Sequence, residues 1–165
     1  MVDFLCARQG GGIMAQCREV GSQAAHATAV GEIGQDWIYI LNPSKDNLDG
    51  EPAGKETMRR LAHDDPKSEF WLSRRNHMNP GDRLWFYFGQ PESVVAAVAE
   101  VDSEPQEAAD DPDFGYRVEA TLLPGPTDAL CGRPVSRDEL ELGQVRSVQK
   151  VKPGALKILL TRAGL

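Results

Sequence analysis

Three tryptophans (Trp37, Trp71 and Trp85) and the pair Tyr87-Phe88 stand near the ends of apolar runs, with Asn42, Ser44, Ser73, Arg74 and Arg75 near them in the chain. Aromatic faces stack on a flat ligand, and a few donors and acceptors beside them fix its polar edge; this set supplies both. Core packing competes for each aromatic taken singly. Their clustering with polar neighbours on loops is what points to a site. Trp85 sits inside the apolar run RLWFYF and reads as core, whereas Trp71 precedes the polar run Ser73-Arg74-Arg75-Asn76 and reads as a stacking wall. The expected pocket therefore joins the end of the first strand (Asn42, Ser44), the 71–74 segment and the strand end at Tyr87-Phe88. Trp37, Ser73 and Arg74 complete the expected ligand-binding set.

Other chemistries find little support. No GxSxG elbow occurs, and His26, His63 and His77 lack a motif partner for nucleophilic catalysis. His63 stands beside Asp64-Asp65, but adjacent helix positions diverge, so this reads as a solvated helix end and not a metal site. Asp113 followed by Glu119 invites comparison with nucleases that hold magnesium between two carboxylates. The lysine they require is missing, since the chain continues Glu119-Ala120-Thr121. Cys6, Cys17 and Cys131 are odd in number and far apart, which supports neither a disulfide framework nor a zinc site. No GxxxxGK[ST] phosphate loop is present. The chain is thus expected to bind and not to catalyse, with no cofactor and no metal.

A length of 165 residues, 41% hydrophobic and 26% charged, suits one folded domain. With 18 basic against 25 acidic residues the net charge is −7, which argues against a protein that coats nucleic acid through a broad basic surface. The charge is polarised. From Pro91 to Phe114 there are many acids and no Lys or Arg; after Gly143 come Arg146, Lys150, Lys152, Lys157 and Arg162 and no acid. One basic face on an acidic protein and two differently solvated surfaces both fit this pattern. No run nears the roughly 20 apolar residues of a membrane span, and the first residues lack signal-peptide features, so a cytoplasmic protein without membrane contact is expected.

The elements that must carry these side chains follow from patterning. Residues 1–35, with a Gly triplet and an alanine-rich stretch, are expected to form a poorly packed arm, and 36–165 the domain. DWIYIL alternates as a half-buried strand does, and NPSKDNLDGEPAGK reads as a long loop. KETMRRLAHDD, with Met58 and Leu61 on one side, reads as a short amphipathic helix. RLWFYFG places Leu84, Phe86 and Phe88 on one face and Trp85 and Tyr87 on the other. SVVAAVAEV and FGYRVEATLL add two strands. Ser136 and Glu139 form a capping box, so VSRDEL is expected to start a helix. GALKILLTRAG closes the chain as a helix docking through Leu156, Leu159 and Leu160. Strands joined mostly by loops point to an α+β fold, a small, partly closed β-barrel flanked by short helices.

The order of motifs resembles the EVE family, a branch of the PUA-like group that also includes YTH, ASCH and SRA readers. The resemblance rests on Trp37-Ile38-Tyr39-Ile40-Leu41-Asn42-Pro43, on Trp71 before Arg75-Asn76 and the Gly81-Asp82 turn, on Phe86-Tyr87, on the strand VVAAVAEV, and on the stretch Pro134-Val135-Ser136 to Leu140. It covers about residues 36 to 162. The compressed Trp71-to-Gly81 segment looks like the EVE-like modules of bacterial modification-dependent restriction systems. The resemblance implies a PUA-like barrel that flips a modified base of DNA, such as 5-methylcytosine, into an aromatic pocket. Lys45, Arg75, Lys150 and Lys152 would then meet the nucleic-acid backbone, and a separate nuclease or restriction partner would supply cleavage. An RNA-binding module related to ASCH or PUA domains is the alternative, and a small metal-dependent nuclease a third.

Overall fold

The structure, a computed structural model, describes residues 34–109 and 114–165. Of the expected arm, residues 1–35, all but the last two lie outside the described residues. The strands are β1 (Asp36–Leu41), β2 (Asn47–Leu48), β3 (Glu51–Pro52), β4 (Lys67–Leu72), β5 (Arg83–Phe88), β6 (Val94–Val101), β7 (Gln106–Glu107), β8 (Tyr116–Leu122), β9 (Val135–Ser136) and β10 (Gln149–Lys150). The helices are α1 (Lys55–Asp64), α2 (Pro124–Gly132) and α3 (Pro153–Ala163).

One mixed sheet runs in the order β10-β1-β5-β6-β8-β4, with β7 on β8 and β9 on β6; β2 and β3 form a separate hairpin. Among the described residues only β1 and β5 pair in parallel. The sheet curls into a half-barrel, the α+β fold expected from the patterning.

Alternation assigns the two faces of the central strands. Trp37, Tyr39 and Leu41 of β1 join Leu84, Phe86 and Phe88 of β5 in one core, covered by Met58 and Leu61 of α1. Ile38 joins Trp85 and Tyr87 in a second core with Leu130 of α2 and Leu159 of α3. Because β1 and β5 are buried on both faces, their near-continuous apolar runs are what such strands require. α3 docks through Ala155, Leu159 and Ala163; Leu156 and Leu160 flank that stripe, half-buried. Gly164, at φ 73°, ends it in the left-handed conformation that glycine adopts freely.

β6 bends and changes partner along its length. Ala99–Val101 pair with β8, while Val94 and Val95 pair with β9. Opposite β5 the register slips after Phe86, leaving Ala96 as the extra residue of a bulge, a feature that increases local twist. α2 closes the gap this leaves. The buried Thr127 hydroxyl lies 3.3 Å from both Val98 N and Val98 O, Leu123 N donates to Val98 O, and Cys131 Sγ donates to Ala96 O at 3.3 Å.

Two elements depart from expectation. The capping box at Ser136 and Glu139 makes its hydrogen bonds, with Glu139 N donating to Ser136 Oγ and Ser136 N to Glu139 Oε2. No helix follows it. Ser136 belongs to β9, and the chain turns until Glu141 takes a positive φ of 48°. α2, conversely, arises from PGPTDALCG, where Pro124 sits in the first turn, the one place a helix tolerates it.

Gly34 and Gln35, just before β1, are held against the segment that leads into β5. Gln35 N donates to Asp82 Oδ1, and Gln35 O accepts from Arg83 N. A Cβ at Gly34 would lie 2.3 Å from Gly81 O, so only glycine fits where these segments meet.

Candidate functional site

The end of β1 is shaped by a self-closing turn. Asn42 O accepts from Lys45 N and Asp46 N, Asn42 Oδ1 accepts from Ser44 N, and Asp46 Oδ2 accepts from Asn42 N at 2.7 Å. Asn42 and Ser44 are thereby committed to the turn. What the turn presents is Lys45, Asp46 and Asn47.

Facing that turn is β4, an end strand of the sheet. Leu122 N of β8 donates to Pro66 O, which sets the phase of the ladder. In an antiparallel pair, alternate residues turn their backbone groups away from the partner. Glu69 and Trp71 therefore direct N–H and C=O toward the open edge, and Trp71 O there accepts the Tyr39 hydroxyl at 2.7 Å. Tyr39 thus reaches from β1 across to the free edge of β4. Burial first, and the negative charge of Asp46 second, push the Tyr39 phenol far above its ordinary pKa, so it stays a neutral donor. Phe70 and Phe86 brace its ring edge-on, with centroids 5.6 Å away.

Between the β4 edge, the 45–48 turn and the 146–148 segment lies a groove of about 520 Å³, within the range of small-molecule sites. Trp71 and Phe114 stand together at its side, ring centroids 6.5 Å apart and tilted 45°. Phe114 is 38% exposed, one of two large apolar side chains open to solvent among the described residues. The polar lining is mixed: Lys45 and Arg146 are basic, Asp46 and Glu69 acidic, and Ser73 and Ser147 are hydroxyls. Glu69 also faces Arg117 at 3.6 Å. Such a groove offers stacking surface on one side and edge-directed donors and acceptors around it.

The expected site residues divide accordingly. Lys45, Trp71 and Ser73 line the groove. Trp37, Tyr87 and Phe88 do not: they are buried in the two cores, and the Trp37 indole is spent on Asp82 Oδ2 at 3.0 Å. The third wall is not the end of β5 but the 146–148 segment that precedes β10. Arg74 is exposed beyond β4, and Arg75 lies 3.9 Å from Glu104 beside a smaller depression of about 180 Å³. Lys150 holds its ammonium 5.3 Å from the Trp37 ring centre, and Lys152 leads into α3. Tyr39, Phe70, Phe114 and Arg146 went unassigned in the sequence. For Phe70 the adjacent Trp71 was the available signal; Arg146 reaches the groove only through the pairing of β10 with β1.

Groups considered for catalysis lie elsewhere. His63 faces Asp128 at 2.9 Å, on the exposed junction of α1 and α2. Glu119 faces Lys67 at 3.6 Å, and Asp113 is outside the described residues, as are His26, Cys6 and Cys17. Burial pushes the Cys131 thiol up to about 11, away from the thiolate that nucleophilic chemistry needs. Among the described residues no three His, Cys, Asp or Glu side chains group as a metal site would require. No helix among them is long and apolar enough to cross a membrane.

These elements define a PUA-like fold, and solved structures share it. The protein Atu2648 from Agrobacterium tumefaciens superposes with a TM-score of 0.53 at 18% identity, covering 80% of this chain and 94% of its own. Rpa0253 from Rhodopseudomonas palustris gives 0.52 at 18% identity, with 79% and 93% covered. A variant of the ASCH protein from Zymomonas mobilis gives 0.50 at 11%, with 78% and 96% covered. At these identities the likeness is one of fold. No family model matches the sequence, and no curated protein matches it.

Proposed function

We propose that this chain is an EVE-like reader that binds nucleic acid and seats a flipped, modified base of DNA in the groove between the β4 edge and the 45–48 turn. The observation that carries the reading is the pairing of Trp71 with Phe114 at an open groove that the neutral phenol of Tyr39 also lines. A base stacked on Trp71 gains roughly 1 to 3 kcal/mol, enough to offset much of the few kcal/mol lost when it leaves its stack. The open β4 edge and the side chains of Lys45, Asp46 and Ser73 then meet its polar edge. The motif order that resembles EVE domains supports the same reading, and so does the PUA-like fold. The module binds without catalysing; any cleavage of the marked DNA belongs to a separate nuclease of a restriction system.

The test is a binding screen of short DNA and RNA oligonucleotides, each carrying one modified base. Tighter binding of one modified DNA than of its unmodified twin is the expected result. Preference for RNA governed by the 2′-hydroxyl would replace this reading with an ASCH-type RNA module. Equal binding of every modified and unmodified oligonucleotide would overturn both.

A further inference from the structure

Among the described residues some basic side chains are paired with acids, whereas Lys45, Arg74, Arg133, Arg137, Lys157 and three near β10 are not. The paired ones include Arg59, 2.8 Å from Asp128, Arg60, 3.0 Å from Glu51, and Lys67 and Arg117, each 3.6 Å from a glutamate. The three near β10 are Arg146, Lys150 and Lys152. Among the described residues none of them has a carboxylate within 4.0 Å.

These three cations also follow one another along a short stretch of chain that ends in β10 and the start of α3. Through the 144–152 stretch Gln144, Arg146, Lys150 and Lys152 are exposed, while the residues between them are partly or fully buried. β10 pairs with β1 at Trp37↔Lys150 and Ile38↔Gln149, and Val151 N donates to Asp36 O, so the stretch is extended there. Its first member, Arg146, lines the groove; its last, Lys152, stands before α3. β10 is an end strand, so its outer side is open. The one acid on the facing end of β1 is Asp36, buried and occupied by Arg83 at 2.7 Å. The result is a row of unneutralised positive charge that leaves the groove and follows one sheet edge for at most about 20 Å.

Resting on the base-reading proposal, we infer that the 146–152 stretch is a phosphodiester track: the strand flanking the seated base lies along β10, its phosphates on Arg146, Lys150 and Lys152. Phosphate contacts of this kind position a nucleic acid without reading its sequence. On an acidic protein they also confine the approach of the strand to one edge.

The experiment compares the salt dependence of oligonucleotide binding for the wild type, for Lys150→Gln/Lys152→Gln, and for Arg59→Gln/Arg60→Gln, which removes the same charge from a neutralised face. The track predicts a log-log slope shallower by about 1 to 2 in the first variant only, with the ratio of affinities for modified and unmodified bases unchanged. Because Lys150 covers Trp37, Lys152→Gln alone, with about half the effect, keeps the test clear of any change in folding. An unaltered slope in the β10 variants, or an equal change in the α1 variant, overturns the track even where base preference persists. An unaltered slope accompanied by self-association would instead assign these lysines to guarding a sheet edge. A shallower slope in a wild type that shows no base preference upholds the track and overturns base reading; absence of oligonucleotide binding overturns both.

Discussion

Trp85 on β5 donates its indole N–H to Asp36 on β1 at 2.7 Å, and the reverse bond joins Trp37 on β1 to Asp82, the residue before β5, at 3.0 Å. The two parallel strands are cross-tied at their starts. Asp36 also takes a fork from Arg83, with Nε at 2.7 Å and Nη2 at 3.0 Å, so its buried carboxylate is fully engaged. This fixes the register that sends Tyr39 toward the groove.

Trp85→Ala is expected to destabilise the domain by about 3 to 5 kcal/mol, through lost volume in the second core. Asp36→Ala should cost a similar amount, about 3 to 5 kcal/mol, because it strands the Arg83 guanidinium at a buried partner site. The double variant should lose less than the sum, since the two share a bond. Urea denaturation measures all three; strict additivity would show that the cross-tie carries no coupling.

Trp71→Ala should leave the fold intact, since Trp71 is only half-buried, and abolish the preference for a modified base at a loss of roughly 1 to 3 kcal/mol. Parallel thermal melts and oligonucleotide titrations test this. A variant that unfolds, or one that keeps its preference, removes Trp71 from the site.

Thr127→Val keeps shape but withdraws the hydroxyl that faces Val98 N and O at 3.3 Å. The stranded backbone group should cost about 1 to 3 kcal/mol. Exchange of the Val98 amide with solvent, followed by NMR, should accelerate in the variant; unchanged protection would mean that the Thr127 hydroxyl is not what holds the Val98 N–H.

The pKa of Glu139 is held at about 2, below the ordinary 4.5 of a glutamate, by the Ser136 backbone N–H first, then by Arg162 and the Ser136 hydroxyl. A depressed carboxyl stabilises the folded state above its unfolded pKa, and that contribution is lost as pH falls from about 4.5 toward 2. Melting temperatures across that window should therefore decline more steeply for the wild type than for Glu139→Gln. Parallel declines would show that Glu139 makes no contribution.

Legibility in the sequence followed how local each cause was. The two faces of β5 were readable because burial on both sides leaves alternating large apolar residues in place. β4 was not readable as a strand: as an end strand with polar Lys67, Ser68 and Glu69, it lacks that signature. α2 was hidden by its prolines and glycines, which its position in the fold overrides. The capping box at Ser136 is legible as hydrogen bonding but starts no helix, since pairing with β6 claims Ser136 first. At the site, Trp71 announced itself by its polar neighbours. The 146–148 wall did not, because long-range strand pairing brings it there.

That long-range construction has a consequence for synthesis on the ribosome. The groove draws on residues near 39–48, 69–73, 114 and 146–148, and β1 cannot complete its pairing until β5 and then β10 have emerged. Contacts so distant in sequence form late. A nascent or truncated chain that lacks β5 and β10 leaves Trp37, Tyr39 and Leu41 without the strands that bury them and forms no groove.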